Sequence, residues 1–275
     1  MSKVTRYDAF MKVWGTSEFE SADEVAAIHD RLKYSEVQDD VPYPCVLNWI
    51  STDSEEQYQK NQKKSQHLLD LYEWDDTSVT YELNSHGFRD KEFDCPSEDS
   101  IITIGECFTF GTGLPNELTW PSLLRAETNK RIFNLSRPIS GLDQAFRILY
   151  YWLPVLKSKT VLLFESSGLA REIFLNNETA SIGHWSRELW RRDLVVNKNE
   201  RYISRQKNML AIKQWCDIHD VDLHIIDTTT RNKIGNFTYD KYKHESKCVG
   251  RDLMHPGKHF HAAVMQEFKQ LIRVS

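Results

Sequence analysis

The chain has 275 residues, enough for one large domain or two small ones with a full apolar core. Hydrophobic residues make up 40% and charged residues 27%, an ordinary globular balance, and the net charge of -5, with both signs interspersed, leaves no basic stripe for a nucleic acid to follow. No apolar run approaches the roughly 20 residues of a bilayer span, and the N-terminus lacks the apolar centre of a signal peptide.

A cytoplasmic protein that binds neither nucleic acid nor membrane is therefore expected. The five cysteines (Cys45, Cys95, Cys107, Cys216, Cys248) are odd in number and lack a Cys-x-x-Cys pair, which suggests free thiols, no zinc site and no disulfide framework. His259 and His261 are two residues apart on an expected helix, a spacing that points them to different faces, so no metal or other cofactor is anticipated.

Residues 1–95 read as an N-terminal extension, mostly helical or irregular, packed on a core of residues 96–275. Ser21 and Glu24 form a capping-box pattern before Val25, Ile28 and Leu32, which predicts a short helix. Pro42 and Pro44 break the chain, and Ser54 to Leu71 predicts a second, largely solvated helix. Asp75 to Leu83, with Val79, Tyr81 and Leu83 alternating against polar residues, has strand period. The segment from Asn84 to Asp90 is either a structural turn or the edge of a site.

From Ser100 onward apolar runs alternate with amphipathic helices. Strands are predicted at Ile101 to Ile104, Arg131 to Leu135, Thr160 to Phe164 and Val221 to Ile226. Helices are predicted at Trp120 to Glu127, Asp143 to Lys157, about Ser204 to His219 and about Lys258 to Ile272. Near-continuous apolar strands alternating with helices predict an α/β fold, a parallel sheet covered on both faces. Leu169 to Arg201 is an insertion, read as a charged helical face or as a lid. No clear fourth strand is visible before residue 204, so a sheet smaller than five strands is expected.

In such sheets the site lies at the carboxyl ends of the strands. Glu106-Cys107, Ser136, Ser166-Ser167 and Asp227-Thr228 follow predicted strands, and Asp252 and His255 stand three residues apart before Pro256. A lone cysteine after a strand is ordinarily a small buried hydrophobe, and an Asp-x-x-His pair alone means little. Taken together with the glycines around Cys107, the three read as nucleophile, base and orienting acid. Trp74, Trp120 and Trp185 are candidate linings of a sugar or acyl pocket.

The order Gly105-Glu106-Cys107-Phe108-Thr109-Phe110-Gly111 and then Asp252-Leu253-Met254-His255-Pro256 resembles the SGNH (GDSL) hydrolases. In that family Gly-Asp-Ser-x-x-x-Gly follows the first strand, and Asp-x-x-His-Pro precedes the last helix. The resemblance spans about residues 84–270. It implies a three-layer α/β/α, flavodoxin-like fold and a Cys107–His255–Asp252 triad, with cysteine in place of serine. Asn134 to Gln144 looks like the second family block, with Ile139 or Gly141 at the oxyanion position. Phe164 to Leu169 occupies the third, with Ser167 in place of the usual asparagine and Glu106 beside the nucleophile.

The implied activity is hydrolysis of a small-molecule or carbohydrate ester, such as an O-acetyl group. The alternative is a catalytically impaired relative that serves as a binding or structural module. A serine exchanged for cysteine to trap an acyl-enzyme would give the same sequence.

Overall fold

The computed structural model describes residues 42–74, 78–165, 170–175, 178–183, 186, 195, 197–227 and 248–274. The helix expected from Ser21, Ser166-Ser167, Thr228 and Trp185 lie outside these residues.

The elements, in chain order, are β1 (Cys45–Leu47), α1 (Glu55–Leu71), β2 (Tyr81–Leu83), β3 (Ile101–Gly105), α2 (Cys107–Phe110), α3 (Trp120–Thr128), β4 (Ile132–Asn134), α4 (Leu142–Leu156), β5 (Thr160–Glu165), β6 (Arg171–Leu175), β7 (Glu178–Ile182), α5 (Lys198–Ile218), β8 (Asp222–Asp227) and α6 (Lys258–Val274). The central sheet has four strands in the order β4-β3-β5-β8. All of its pairings are parallel, with Ile101 opposite both Ile132 and Thr160, and Thr160 opposite Asp222.

Strand period divides the buried side chains between two cores. Ile102, Ile104, Phe133, Val161 and Leu163 face α4 and α5, meeting Ile148, Leu149, Trp152, Leu153, Ile212 and Cys216. Ile101, Ile132, Leu162, Phe164 and Ile226 face α3 and α6, meeting Trp120, Leu124, Phe260, Val264 and Phe268. This is the expected three-layer α/β/α arrangement. Each such side chain contributes about 1.5–3 kcal/mol on burial, so the continuous apolar strands fix both layers at once.

A third cluster joins the N-terminal residues to the sheet's carboxyl end. Ile50, Leu69, Trp74, Val79, Tyr81 and Leu83 pack with Phe110 and Leu114. The predicted alternation of Val79, Tyr81 and Leu83 is seen as burial, although only Tyr81–Leu83 is strand, paired antiparallel with β1. The prolines that obscured β1 in the sequence lie just before it, at Pro42 and Pro44. Helix α1 starts where expected, with the Ser54 hydroxyl accepting from Gln57 N–H.

Two elements differ from the sequence reading. Helix α5 starts at Lys198, six residues before the expected Ser204, because the Asn197 side chain caps Asn199 and Glu200 N–H groups ahead of a polar first turn. Within the insertion after β5, the described residues Arg171–Leu175 and Glu178–Ile182 are strands and not a helical face. There β6 and β7 pair antiparallel, Arg171 with Ile182 through Leu175 with Glu178. A buried ion pair, Arg147 Nε to Glu172 at 2.7 Å, ties β6 to α4.

Candidate active site

Strand β3 ends at Gly105, where a side chain has no room. A Cβ there would lie 2.3 Å from Thr109 Oγ1 and 2.6 Å from the Phe164 carbonyl oxygen. The chain can therefore turn sharply, placing Glu106 as N-cap and Cys107 as the first residue of α2. The short helix stops at Gly111, in the left-handed region at φ 80°.

Its far end is pinned by Arg89. This fully buried guanidinium donates to the carbonyls of Phe110, Gly111, Leu114 and Thr80 at 2.7–3.1 Å, and lies 4.4 Å over the Tyr81 ring. Burial lowers its pKa to about 10, and nearby Tyr81 and Asp53 oppose the shift. Asn84 Oδ1 accepts from the N–H groups of His86 and Phe88, and Asp90 pairs with Arg125. The segment Asn84 to Asp90 is thus a structural turn that supports the Cys107 turn from below.

The other half of the site is the loop before α6. Gly250 N–H donates to the His255 carbonyl at 2.8 Å, which closes the loop, and Arg251 N–H donates to Gly113 O at 2.8 Å, which fastens it to the segment after the Cys107 turn. Gly113 has φ 79°, and a Cβ there would press within 3.2 Å of Asp252 Oδ1. Asp252 Oδ1 accepts the N–H groups of Met254 and His255 at 3.0 Å each, and Oδ2 lies 2.6 Å from His255 Nδ1. The carboxylate is wholly out of water, while the imidazole keeps 13% of its surface.

The electrostatics follow from that geometry. Burial alone would raise the Asp252 pKa, but the hydrogen bonds from His255 and the loop N–H groups outweigh it and hold the carboxyl below its ordinary range. Burial alone would lower that of His255. Hydrogen bonds to Asp252 and to the Cys107 side chain, with the charges of both, push it up to about 10. With Nδ1 engaged by Asp252, Nε2 is the nitrogen left for the thiol. The Phe108 ring stands edge-on to the imidazole, centroids 5.7 Å apart, and restricts its rotation.

On the opposite side, Ile139 N–H donates to Cys107 Sγ at 3.2 Å. Ile139 has φ 57°, a left-handed conformation that a β-branched side chain rarely adopts. Gly141 does not take that place. It is the N-cap of α4, packed so tightly on the Ala170 carbonyl that a Cβ would lie 2.1 Å from its oxygen.

Glu106, Ser140, Gly141, Leu142 and Glu165 help to line a cleft of about 290 Å³ at the carboxyl ends of β3 and β5. A second cleft of about 270 Å³ shares Leu142 and is lined by Asp143, Arg171, Arg201 and Arg205. Between β5 and β8, Arg205 holds Glu165 bidentately at 2.9 and 2.6 Å and also pairs with Asp227. Burial raises the Glu165 pKa despite this partner.

Cys107, His255, Asp252 and Ile139 therefore come together at the carboxyl end of the first strand of a four-stranded parallel sheet, with Asp252 and His255 delivered by the loop before the last helix. The fold is a three-layer α/β/α arrangement around that sheet. No protein-family model and no curated protein sequence matches the chain.

Solved structures similar to this chain include three. The psychrotrophic esterase EstA from Pseudoalteromonas sp. has a TM-score of 0.46 at 15% identity, over 64% of this chain and 97% of that one. A putative lipolytic protein of the G-D-S-L family from Desulfitobacterium hafniense has 0.40 at 14%, over 61% and 96%. A carbohydrate esterase family 2 enzyme with a carbohydrate-binding domain, from Corynascus thermopiles, has 0.42 at 12%, over 66% and 67%.

The α/β core carries attachments that no sequence motif announced. Thr52 Oγ1 donates to Asp252 Oδ2 at 2.7 Å, and Asn61 Nδ2 donates to the Asp252 carbonyl at 3.0 Å. Arg251 binds Asp53 through Nε and a terminal nitrogen at 3.0 and 2.8 Å, with its guanidinium 4.0 Å over the Trp49 ring. Tyr81 OH completes the set, donating to Asp53 at 2.6 Å. These partners lie about 200 residues from the loop they hold, so no local pattern reveals them.

Two of the tryptophans weighed as pocket linings belong to the interior. Trp74 is buried with its Nε1 on the Val249 carbonyl, and Trp120 is buried and stacked on Phe268. His261 is also internal, its Nδ1 accepting Trp120 N–H, and burial lowers its pKa to about 3. Among the described residues no three metal-ligating side chains gather, and no helix is long and apolar enough to cross a membrane.

Proposed function

We propose that the protein is an acyl-ester hydrolase of the SGNH type acting through a covalent acyl-Cys107 intermediate. The observation that carries this reading is the placement of Cys107 Sγ between a backbone donor, Ile139 N–H at 3.2 Å, and an imidazole that Asp252 holds at 2.6 Å. A buried small hydrophobe would need neither partner.

Cys107 attacks the ester carbonyl carbon, and its proton passes to His255. The tetrahedral oxyanion rests on the backbone N–H groups of Ile139 and Cys107. Collapse breaks the carbon–oxygen bond to the alcohol, which leaves with the proton that His255 returns. Water then attacks the thioester, His255 takes its proton, and the carboxylic acid departs as the Cys107 thiol re-forms. Asp252 fixes the tautomer and supports the imidazolium in both halves.

The cleft lined by Glu106 and Gly141 adjoins the Cys107 turn. The substrate class proposed is a small ester, for instance an O-acetyl group on a carbohydrate. Incubation with p-nitrophenyl acetate followed by intact mass measurement tests the reading. An adduct of one acetyl group on Cys107, lost in Cys107→Ala, is expected; turnover that persists in Cys107→Ala would sink the covalent mechanism.

A further inference from the structure

We propose that Thr52 is a positioning residue of this site: its hydroxyl, delivered by the segment ahead of the sheet, locks the Asp252–His255 pair in the arrangement that leaves Nε2 facing Cys107. The proposal rests on the reading of Cys107, His255 and Asp252 as the reacting set and adds a fourth member to it.

The hydroxyl lies at the apex of a small triangle. Thr52 Oγ1 is 2.7 Å from Asp252 Oδ2 and 3.3 Å from His255 Nδ1, and those two atoms are 2.6 Å apart. Its one proton goes to the carboxylate, because Oδ2 is the nearer atom and has only lone pairs to offer. Its own lone pairs then face the Nδ1 proton. The O–H dipole thus lies with its positive end on the anion and its negative end on the cation, which favours the charged form of the pair on both sides.

The placement of that hydroxyl is built in. Ile50 and Asp53 exchange backbone hydrogen bonds at 2.8 and 3.0 Å around a two-residue turn, Ser51-Thr52, with Ser51 at φ 55°. Asp53, next to Thr52, is clamped on Arg251, next to Asp252, and Asn61 holds the Asp252 carbonyl. Two anchors, one on the turn and one on the helix that follows it, therefore fix this segment against one short loop. A hydroxyl present only to satisfy a buried carboxylate would not require this, since Asp252 already has two backbone N–H donors on Oδ1.

The titratable groups bearing on His255 are Asp252 on its own loop, Cys107 at the head of α2 and His261 on α6. His261, with its pKa lowered to about 3, stays neutral through the working range, so Asp252, Cys107 and the Thr52 dipole set the imidazole's proton affinity.

The test is an NMR titration of the His255 imidazole in the full chain, without substrate, for wild type, Thr52→Val and Thr52→Ser, with thermal melts as the control for folding. One lost hydrogen bond to a charged group corresponds to about one pH unit, so the imidazolium midpoint should fall by about that much in Thr52→Val and return in Thr52→Ser. Steady-state turnover should show the loss in kcat with KM kept.

If Thr52→Val fails to fold, Thr52→Ala carries the same comparison. An unchanged midpoint in the folded variant, or an equal shift in Thr52→Ser, overturns the role of Thr52. A wild-type midpoint near that of free imidazole, about 6.5, instead overturns the Asp252–His255 pairing on which the proposed function rests, and so separates the two failures.

Discussion

His255 Nδ1 and Asp252 Oδ2 lie 2.6 Å apart on a loop whose two ends are tied by the Gly250 to His255 backbone hydrogen bond. Each group makes the other's charge more favourable, and stability should depend on pH accordingly. The folded value of His255 is raised, to about 10, above the unfolded value near 6.5. Its contribution is complete below about pH 6.5, fades as pH climbs, and is gone above about 10. Asp252 is depressed, so its contribution is complete above about pH 4 and is lost as pH falls through its lower folded value. Urea midpoints measured at pH 6, 8 and 10.5 should therefore decline, with a clearly flatter trend in His255→Ala.

Asp252→Asn keeps the shape of the loop but removes the anion and turns an acceptor into a donor. If His255 is the base, kcat for p-nitrophenyl acetate should fall by about 10⁴-fold, as expected when the orienting acid of such a triad is lost. The melting temperature should move much less than the rate. Equal activity in the two proteins would remove Asp252 from the mechanism.

Much of this arrangement was legible in the residues. The two cores follow from strand period, because Ile101 and Ile102 are both apolar and point to opposite faces of β3. The sharp turn at Cys107 was legible because Gly105 and Gly111 are positions where sterics leave no other choice, and the Asp252–His255 contact because both come from one turn. Pairings between distant segments were not. Thr52 and Asp53 sit in a polar stretch whose local pattern indicates only a helix start, and their partners are about 200 residues away. The β6–β7 hairpin was missed because Arg171 and Glu172 open it with two successive charges and Ile173-Phe174-Leu175 follow as an unbroken apolar run, so the sequence shows no strand alternation there.

Gly105→Ala should separate activity from folding. The added methyl would meet the Thr109 hydroxyl at 2.3 Å and a backbone oxygen at 2.6 Å, so the Cys107 turn must move. Esterase activity should fall by about 10²-fold or more, since displacement of a reacting group by about 1 Å has that effect. Circular dichroism should still report a folded protein with a lower melting temperature.

Arg89→Met should be among the most destabilising single changes. It strands four carbonyls that Arg89 now serves and empties a buried site, with an expected cost of about 3–5 kcal/mol. Arg89→Lys should recover little, because one ammonium cannot reach the same set of carbonyls. Chemical denaturation of the three proteins measures both effects.

Ile139→Gly keeps the N–H at Cys107 while relieving a left-handed backbone that costs a non-glycine residue about 1–2 kcal/mol. Acylation should survive and the melting temperature should hold or rise. A loss of activity as large as that of Asp252→Asn would mean that the Ile139 side chain, and not its N–H, is what the site needs.

The Asp53–Arg251 clamp has a consequence for how this protein can be cut and recombined. A fragment beginning at β3 would contain every residue of the proposed triad, yet it would lose Asp53, which holds Arg251, and Thr52 and Asn61, which hold Asp252. Shuffling the sheet into a new host, or grafting another N-terminal segment onto it, would therefore have to bring the Thr52-Asp53 turn along, because the acid–base loop is completed by a part of the chain that lies outside the sheet it serves.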